Sequence, residues 1–489
     1  MGDTVSVRLF NTLGREAQRF VPLEDKKVGM YTCGPTVYQY AHIGNLRSYV
    51  FEDVLRRTLE YFGYEVRHVM NVTDVGHLTD DADEGEDKVI KSAREMGKTV
   101  WDIAEHFTEA FFNDIEKLNI ERPTVVCKAT EHIDDMIEMI ERIEANGYTY
   151  RAGGNVYFDT SKFPNYGELA LLDRQEQKAG ARIEVDENKR HPRDFVLWFT
   201  KSKFENQAMV WDSPWGRGYP GWHIECSAMS TKYLGEQFDI HTGGVDHINV
   251  HHTNEIAQTE AATGKKWVNY WLHGEFLIMD TGKMSKSKGN FVTLGVLEEE
   301  GFEPLDFRYL CLGGHYRTQL QFSYDALNAA RKARRGLLDR IAQLKEAAGV
   351  GAAGSDSAAD QAGAAQAAEA HGPRHAQWLS AFDEHLADDL NVPKCLADLW
   401  GVVKDDALSP AEQLDLVKRM DRVLALDLLE AETSTDTSLL DEEIRKLVEE
   451  RAEARKNKDF ARADQIRNDL AERGIILEDT PDGTRWKKL

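Results

Sequence analysis

The order of apolar segments near the N-terminus most constrains what this chain can fold into. Residues 27–33 form a short apolar run with β-branched and aromatic side chains, which is typical of a buried strand. A loop containing Gly-Pro follows, then residues 43–62 read as a helix and residues 64–72 as a second strand. This order predicts an α/β fold with a doubly wound parallel sheet. Strand and helix signals alternate again over 222–280, which we interpret as the second half of the sheet.

The whole chain of 489 residues is long enough for three or four domains. We expect a Rossmann-like domain over 1–320 with a connective insertion at about 76–210, a helical bundle over 321–430, and a small α/β domain over 439–489 that ends in a β-hairpin. Within the bundle, residues 347–370 contain 12 Ala and 4 Gly. Such a segment buries too little apolar surface to order itself, so we expect a flexible loop.

Composition and charge exclude several classes of protein. No run of about 18 or more apolar residues occurs, so we expect no membrane-spanning helix, and the first residues lack the pattern of a secretory signal. Five cysteines spread over the chain argue against a disulfide framework and favour a cytoplasmic location. The net charge of −24 repels nucleic acid over most of the surface. Residues 451–489, with 10 Lys/Arg and 8 Asp/Glu, are the least acidic stretch and the easiest place for a polyanion to bind.

The first group of candidate functional residues lies where the first strand leads into the first helix, in the segment CGPTVYQYAHIGN (33–45). A loop of this kind presents backbone N–H groups and the positive end of a helix to an anion. Gly44 allows a flat base to approach the backbone closely, and His42 can donate to a phosphate as charge develops on it. Taken alone, these residues are a weak signal.

The second group is KMSKS (283–287), which follows a predicted strand at 275–280. Two lysines and two hydroxyls within five residues supply mobile cations and hydrogen-bond donors for a polyphosphate. An exposed polar turn explains the pentapeptide equally well.

Together, these motifs resemble a known family. HIGN in the first half of a sheet and KMSKS after the second half are similar to the two signatures of class I aminoacyl-tRNA synthetases. YTCGPTVYQYAHIGN, GWHIECSAMS (221–230), FDIHTGGVDHINVHHTNEIAQ (238–258) and KMSKSKGN (283–290) resemble the cysteinyl-tRNA synthetases, and the resemblance covers essentially the whole chain. The family signature often ends in His where this chain has Asn45, which can still donate to a phosphate or ribose oxygen.

The resemblance implies an ATP-dependent ligase that forms cysteinyl-adenylate and transfers the amino acid to tRNA-Cys, with Mg²⁺ accompanying the ATP triphosphate. It implies catalytic roles for His42, Asn45, Lys283 and Lys286. These four residues, with Gly44 and Asp246, would bind ATP. The residues that would hold the amino acid are Gly34, Thr36, Thr73, Trp222 and His241.

The resemblance also implies one bound zinc ion, with Cys33, Cys226, His251 and Glu255 as its ligands. The histidine and the glutamate are four residues apart and share one face of a helix. From the residues alone the site is open, because a lone cysteine is usually a small buried hydrophobe and His247 and His252 compete as ligands. Zinc prefers a soft thiolate to an alcohol, so it would separate cysteine from serine. We therefore expect no editing domain within the insertion.

The C-terminal half is expected to bind tRNA. Residues 324–429 resemble the family's stem-contacting bundle, and residues 439–489 resemble its anticodon-reading domain. The candidate tRNA contacts are base stacking by Phe460, acceptance from base edges by Asp464 and Asp479, and backbone or base contacts by Arg485 and Trp486. The family is usually monomeric, and no heptad repeat argues otherwise, so we expect a monomer.

Three other functions remain open. A cysteine:amino-sugar ligase of the kind used in mycothiol biosynthesis would share the zinc and adenylate chemistry, but such relatives lack the C-terminal module. A non-catalytic tRNA- or zinc-binding relative is disfavoured by the intact HIGN and KMSKS motifs. A synthetase for another amino acid with a structural zinc is disfavoured by the cysteine-containing ligand set.

We predict that Lys286→Ala lowers the rate of adenylate formation by orders of magnitude, because the phosphates would lose a cation as the loop closes. Folding should change little. Pyrophosphate exchange measured beside thermal unfolding checks both statements. A near wild-type exchange rate would exclude this role for Lys286.

Overall fold

A computed structural model describes residues 5–76, 92–94, 96–172, 187–201, 209–279, 282–283, 291–349, 372–430, 446–448, 450–452, 454–455, 459–472, 475–480 and 483–488. At 282–283, 460–461, 472, 475–480 and 483–488 it describes the backbone alone. The chain divides into two compact units, Met1–Leu428 and Leu429–Leu489.

The strands are, in chain order, β1 (Arg8–Asn11), β2 (Glu16–Arg19), β3 (Lys27–Thr32), β4 (Glu65–Val72), β5 (Val125–Lys128), β6 (Thr149–Ala152), β7 (Asn155–Phe158), β8 (Phe195–Phe199), β9 (Tyr219–Pro220), β10 (Phe238–Gly244), β11 (Val268–Gly274), β12 (Leu277–Met279), β13 (Gly282–Lys283), β14 (Leu320–Phe322), β15 (Ile475–Thr480) and β16 (Gly483–Lys488). The helices are α1 (Ile43–Tyr61), α2 (Val100–Lys117), α3 (Ile133–Ala145), α4 (Trp222–Leu234), α5 (His251–Thr263), α6 (Leu294–Glu299), α7 (Pro304–Leu312), α8 (Tyr324–Ala347), α9 (Pro373–Ala387), α10 (Val392–Val402), α11 (Pro410–Leu424) and α12 (Phe460–Glu472).

The first unit is built on a five-stranded sheet with the order β11-β10-β3-β4-β5. Every neighbouring pair in it is parallel. From β3 the chain first adds strands on one side, β4 and β5, and later adds β10 and β11 on the other. The order therefore reverses between β3 and β10, and an open α/β sheet offers a ligand crevice at the carboxyl ends of the strands at such a point. The predicted doubly wound α/β fold is confirmed.

One face of the sheet is covered by α1. Val28 and Met30 of β3 pack in one apolar core with Phe51, Leu55 and Leu59 of α1. The helix follows the first strand as the sequence predicts, and it begins at Ile43 and ends one residue earlier than expected, at Tyr61.

The opposite face is covered by α4 and α5. Tyr31 of β3 and Val69 of β4 lie in a second core with Ile224, Met229 and Ala257 of these helices. Since side chains alternate between the two faces of a strand, residues 28, 30 and 31 of β3 reach both cores. Both faces of the sheet are thus buried, which explains why its strands read as continuous apolar runs.

One strand of the central sheet falls inside the range of about 76–210 predicted for the insertion. Strand β5 lies inside that range but pairs with β4 in the parallel sheet. The part outside the sheet is an antiparallel four-stranded sheet with the order β6-β7-β8-β9, which begins after α3. The sequence VVCK of β5 is too short and too weakly patterned to be assigned to the central sheet without its partner.

Helices dominate from Tyr324 onward, as predicted, with α8 to α11 forming the rest of the first unit. No unit boundary falls near residue 320, because this bundle packs against the sheet domain within Met1–Leu428. The alanine-rich loop predicted at 347–370 lies outside the described residues from residue 350 onward.

The second unit contains α12 and the hairpin of β15 and β16, which pair antiparallel from Ile475 opposite Lys488 to Thr480 opposite Gly483. Ala463, Ile466 and Leu470 of α12 are buried. This hairpin confirms the one expected from the sequence. Among the ranges above, no helix combines the length and apolarity needed to cross a membrane.

A buried ion pair joins α1 to the helices that follow the sheet. Asp53 of α1 and Arg308 of α7 have fully buried side chains with 2.6 Å between their charged atoms. Arg57 also contacts Asp53, at 2.8 Å. Arg308 Nε donates to the carbonyl of Leu424 at the end of α11. Burial alone would raise the pKa of Asp53, but the two arginines outweigh it and hold this pKa below its usual value.

We predict that Asp53→Asn lowers the free energy of unfolding by about 3–5 kcal/mol, because it leaves the Arg308 guanidinium buried without a counter-charge. The control is Glu60→Gln on the same helix, whose partly exposed pair with Arg56 should contribute less than about 1 kcal/mol. Urea unfolding of both variants measures the difference. Equal, small losses would contradict a central role for Asp53.

Candidate active site and metal centre

A pocket of about 290 Å³ lies at the carboxyl ends of β3 and β10. Its walls come from the loop after β3, the first turns of α1, the end of β4, the start of α4, and the segment that joins β10 to α5. The pocket therefore lies at the point where the strand order reverses.

The N-terminus of α1 reaches this pocket at Asn45, and a reciprocal pair of caps holds it. His42 is the N-cap residue, and its Nδ1 accepts a hydrogen bond from the Asn45 backbone N–H at 3.1 Å. Asn45 Oδ1 accepts in turn from the His42 backbone N–H at 3.3 Å. Because Nδ1 is an acceptor here, a neutral His42 carries its proton on Nε2. The cap thus holds the imidazole in the tautomer that can donate from its other nitrogen.

Gly44 is required by the same arrangement. A Cβ at this position would lie 2.9 Å from the His42 ring, so a side chain would displace the imidazole from its capping position. The sequence interpretation assigned Gly44 to base binding, and the structure adds this second reason for glycine.

The opposite wall holds the predicted amino-acid contacts Gly34, Thr36 and Thr73. Gly34 N–H donates to Asn71 Oδ1 at 2.8 Å, and a Cβ on Gly34 would overlap the Asn71 carbonyl. Thr36 and Thr73 are bridge partners. The Thr73 hydroxyl accepts from Asn71 Nδ2 at 3.1 Å and donates to Glu225 Oε2 at 2.9 Å. Its proton is therefore used, and the oxygen keeps one lone pair for a donor in the pocket.

The predicted zinc ligands come together at the pocket. Their ligand atoms all lie within 4.8 Å of one another, and all four residues are buried: Cys33, Cys226, His251 and Glu255. Cys33 follows β3, Cys226 lies on α4, and the other two are one turn apart on α5. His251 Nε2 is 2.7 Å from Glu255 Oε1 and 3.6 Å from Cys226 Sγ.

A second, overlapping set satisfies the same geometric condition, with Cys33, His241, His252 and Glu255. Cys33 Sγ is 3.4 Å from His252 Nε2, and His241 Nε2 is 2.8 Å from Glu255 Oε2. Both sets contain the Cys33 thiol and the Glu255 carboxylate, so a single ion would be bound by one set or by the other. The first set offers two thiolates, the softer donors that zinc favours. His247, the third competing histidine, lines the pocket but belongs to neither set.

The ligand groups shift one another's protonation. Burial and the neighbouring Cys226 raise the pKa of Cys33 well above its usual value, whereas the hydrogen bond with Cys33 lowers the pKa of Cys226 despite burial. Burial opposes charge on Glu255, but His251 and His241 outweigh it and lower the pKa of this carboxyl. The cluster can therefore hold a thiolate and a carboxylate, which are the forms that bind a metal ion.

Outer residues fix the histidine rings. His223 Nδ1 lies 2.8 Å from His251 Nδ1, which leaves His251 Nε2 toward the cluster. His252 Nδ1 lies 2.8 Å from His273 Nε2, and His273 Nδ1 lies 2.7 Å from Thr12 Oγ1. Such partners set the orientation and tautomer of ligating imidazoles. The sequence interpretation missed His223 and His273; for His223, its position one turn before Cys226 in GWHIECS was an available signal.

The remaining site residues fall in different places. Trp222 and Asp246, predicted to contact the amino acid and the ATP ribose, both line the pocket. His241 does not line it; this imidazole is fully buried behind Glu255 and stacks on Trp271 with 4.7 Å between ring centroids. Lys283 is described only by its backbone in β13, and Lys286 lies outside the described residues.

The predicted tRNA contacts belong to the second unit. Phe460 and an exposed Asp464 lie on α12. In the hairpin, Asp479 pairs with Thr484, and the next positions of β16 are Arg485 and Trp486, opposite Glu478 and Leu477. The hairpin thus brings Asp479, Arg485 and Trp486 to neighbouring backbone positions.

Two family models and several full-length relatives match this chain. The model of the tRNA synthetases class I (C) catalytic domain matches residues 19–332, and that of the cysteinyl-tRNA ligase anticodon binding domain matches residues 437–486. A cysteine–tRNA ligase of Treponema denticola is 56% identical over 503 residues, covering 99% of this chain and 100% of the relative. One of Treponema pallidum is 47% identical over 520 residues, with the same coverage.

Among solved structures, Mycobacterium tuberculosis methionyl-tRNA synthetase bound by methionyl-adenylate has a TM-score of 0.52 at 17% identity, covering 82% of this chain and 90% of its own. This is a likeness of fold alone. The full-length sequence relatives and the two matched domains decide the family: the chain belongs to the cysteine–tRNA ligases, with a class I tRNA synthetase catalytic domain.

Proposed function

We propose that the protein activates L-cysteine with ATP to form cysteinyl-adenylate and pyrophosphate, and then transfers cysteine to the 3′ end of tRNA-Cys. The observation that carries the proposal is the buried cluster of two thiols, an imidazole and a carboxylate in the wall of the pocket that α1 caps. A metal cluster that selects a thiol, next to a helix N-terminus that binds phosphate, fits an enzyme that joins cysteine to a nucleotide.

One zinc ion is the metal that this donor set fits, and Cys33, Cys226, His251 and Glu255 would hold it. Two sulfur donors and one nitrogen donor are typical of zinc sites. When bound, zinc would prefer the substrate thiolate over the hydroxyl of serine. A plain apolar pocket discriminates poorly between near-isosteric side chains such as those of cysteine and serine. The preference of zinc for the thiolate would supply this discrimination, so the protein would need no editing domain.

The amino acid is held by the wall that contains Gly34, Thr36 and Thr73. The free lone pair of the Thr73 hydroxyl can accept from the substrate ammonium, while Trp222 closes the other side of the pocket. The sequence predicted that His241 contacts the amino acid directly. We propose instead that His241 acts through Glu255, because it is hydrogen-bonded to Glu255 Oε2 and thereby orients that carboxylate.

ATP is held at the N-terminus of α1. His42 donates from Nε2 to the phosphates, Asn45 supports the cap that fixes His42, and Gly44 keeps the ring in place. Asp246 binds the ribose from the end of β10. Lys283 and Lys286 supply mobile positive charge to the triphosphate and its Mg²⁺. The cysteine carboxylate attacks the α-phosphate in line, so catalysis consists of positioning and charge stabilisation.

The second unit reads the anticodon of tRNA-Cys. The support is the match of residues 437–486 to an anticodon binding domain and the least acidic composition of the chain at this end. Phe460, Asp464, Asp479, Arg485 and Trp486 are the contacts we propose. The protein acts as a monomer in the cytoplasm.

The main test is attachment of cysteine to total tRNA with ATP and Mg²⁺, before and after removal of zinc with a chelator. We expect charging to be lost on chelation and restored by added zinc, because the thiol-selecting ion would leave and return. Zinc-loaded protein that forms the adenylate but charges an amino-sugar instead of tRNA would contradict the proposal, as would cysteine charging that is insensitive to chelation.

The ligand assignment is tested by Cys226→Ser. We predict that this variant loses zinc affinity by more than about 100-fold, because an alcohol replaces a thiolate ligand, and that it loses discrimination against serine. Zinc per chain, measured by elemental analysis, and charging with cysteine and serine are the readouts.

The matched control is Cys395→Ala in α10, which removes an equally buried cysteine far from the cluster. This variant should retain one zinc ion per chain. Retention of zinc by Cys226→Ser would instead assign the ion to the set that contains His241 and His252.

A further inference from the structure

Glu52 is a buried carboxylate in the pocket that none of the roles above uses. It lies on α1, is 2% exposed, and lines the pocket at the carboxyl ends of β3 and β10. Thr242 Oγ1 of β10 donates to Glu52 Oε1 at 2.9 Å. The other oxygen, Oε2, is buried and has no hydrogen-bond partner within the described part of the chain.

The neighbouring carboxylate, Asp53, has partners for both of its oxygens. Asp53 Oδ2 contacts Arg308 and Arg57, and Asp53 Oδ1 accepts from the Glu121 backbone N–H at 2.9 Å. Buried polar atoms in proteins are nearly always paired. Asp53 thus satisfies both oxygens within the fold, whereas Glu52 Oε2, which lines the pocket, is left for a partner that the described part of the fold does not supply.

The position of Glu52 on its helix points to the substrate. Asn45, Ser48, Tyr49 and Glu52 all line the pocket, and their spacing places them on one face of α1. This face starts at the cap that we assign to the phosphates and reaches Thr242, which immediately precedes Gly243 and Gly244 of the pocket wall.

The charge of the pocket agrees with a bound donor. Among the described lining residues, the carboxylates are Glu52 and Asp246. Burial raises the pKa of Glu52 to about 8, and the Thr242 hydrogen bond opposes this only in part. Without a ligand Glu52 is therefore mostly protonated at neutral pH, and a hydrogen-bond donor from a ligand would shift it to the carboxylate form and satisfy Oε2.

We propose that Glu52 is a substrate-binding residue whose free Oε2 accepts a hydrogen bond from the bound cysteinyl-adenylate. The inference rests on the proposed function. The adenylate carries two kinds of donor that fit a carboxylate oxygen, the α-ammonium of the amino acid and the hydroxyls of the ribose. Thr242 is the positioning residue, since its hydroxyl holds Oε1 and leaves Oε2 for the ligand.

The test is Glu52→Gln in the zinc-loaded, full-length protein. The amide can still accept from Thr242 through its oxygen, but it turns an N–H₂ donor toward the substrate donor. We expect KM in pyrophosphate exchange to rise about tenfold or more for one substrate, with a smaller change in kcat and an unchanged zinc content. A rise for cysteine identifies the ammonium. A rise for ATP identifies the ribose, and the wild-type preference for ATP over its deoxyribose analogues should then disappear in the variant.

Two further variants separate binding from a merely structural effect. Glu60→Gln on the same helix lies outside the pocket lining and should leave both KM values unchanged. Thr242→Val keeps the size of the side chain but releases Glu52, so it should raise the same KM by a smaller factor. KM values within about twofold of wild type in Glu52→Gln would overturn the inference. A variant with a lower melting temperature and a lower kcat but unchanged KM values would overturn it as well, because Glu52 would then have a structural role alone.

The outcome for the wild-type protein separates the two proposals. Absence of cysteine-dependent exchange in zinc-loaded wild-type protein would refute the proposed function itself. Normal wild-type exchange with an unaffected Glu52→Gln variant would refute only the role of Glu52.

Discussion

The parallel pairing of β3 with β10 is the interaction on which the site depends. It places Thr32 beside Thr242, so that the loop carrying Cys33 and the turn carrying Asp246 leave the sheet at the same edge. On one side of that edge lies the capped N-terminus of α1, and on the other lie α4 and α5 with Cys226, His251 and Glu255. The pocket and the candidate metal cluster are therefore both consequences of one strand order.

The polar groups at this edge are unusually concentrated for a buried region, and most of them are paired. Glu255 is held by His241 and His251, and the outer histidines are paired in turn. Because buried polar groups without partners are unfavourable, these pairs keep the ligands oriented when the site is filled. Glu52 Oε2 and His247 Nδ1 depart from this rule within the described pocket lining, and a departure of this kind is expected where a ligand supplies the missing partner.

Much of the fold follows from local patterns, but the assignment of individual strands does not. The strand, helix and strand over residues 27–72 and the C-terminal hairpin are confirmed, since their apolar periodicity and turn residues act over short distances. Strand β5 was included in the predicted insertion, because four residues carry no signal of their partner. His241 was expected in the pocket lining, yet alternation along β10 and the packing of Trp271 bury it behind Glu255.

The sequence by itself determined the strand, helix and strand over residues 27–72, the family and the candidate ligands of the metal cluster, because motif residues and periodic patterns are local properties of the chain. Only the tertiary structure decided how those residues combine. It brought Cys33, which follows β3, together with Cys226 on α4, and it placed the competing histidines His251 and His252 in two overlapping ligand sets. It also left one oxygen of Glu52 free in the pocket. The physical reason is that contacts between distant segments depend on strand order and side-chain packing, which no local pattern encodes.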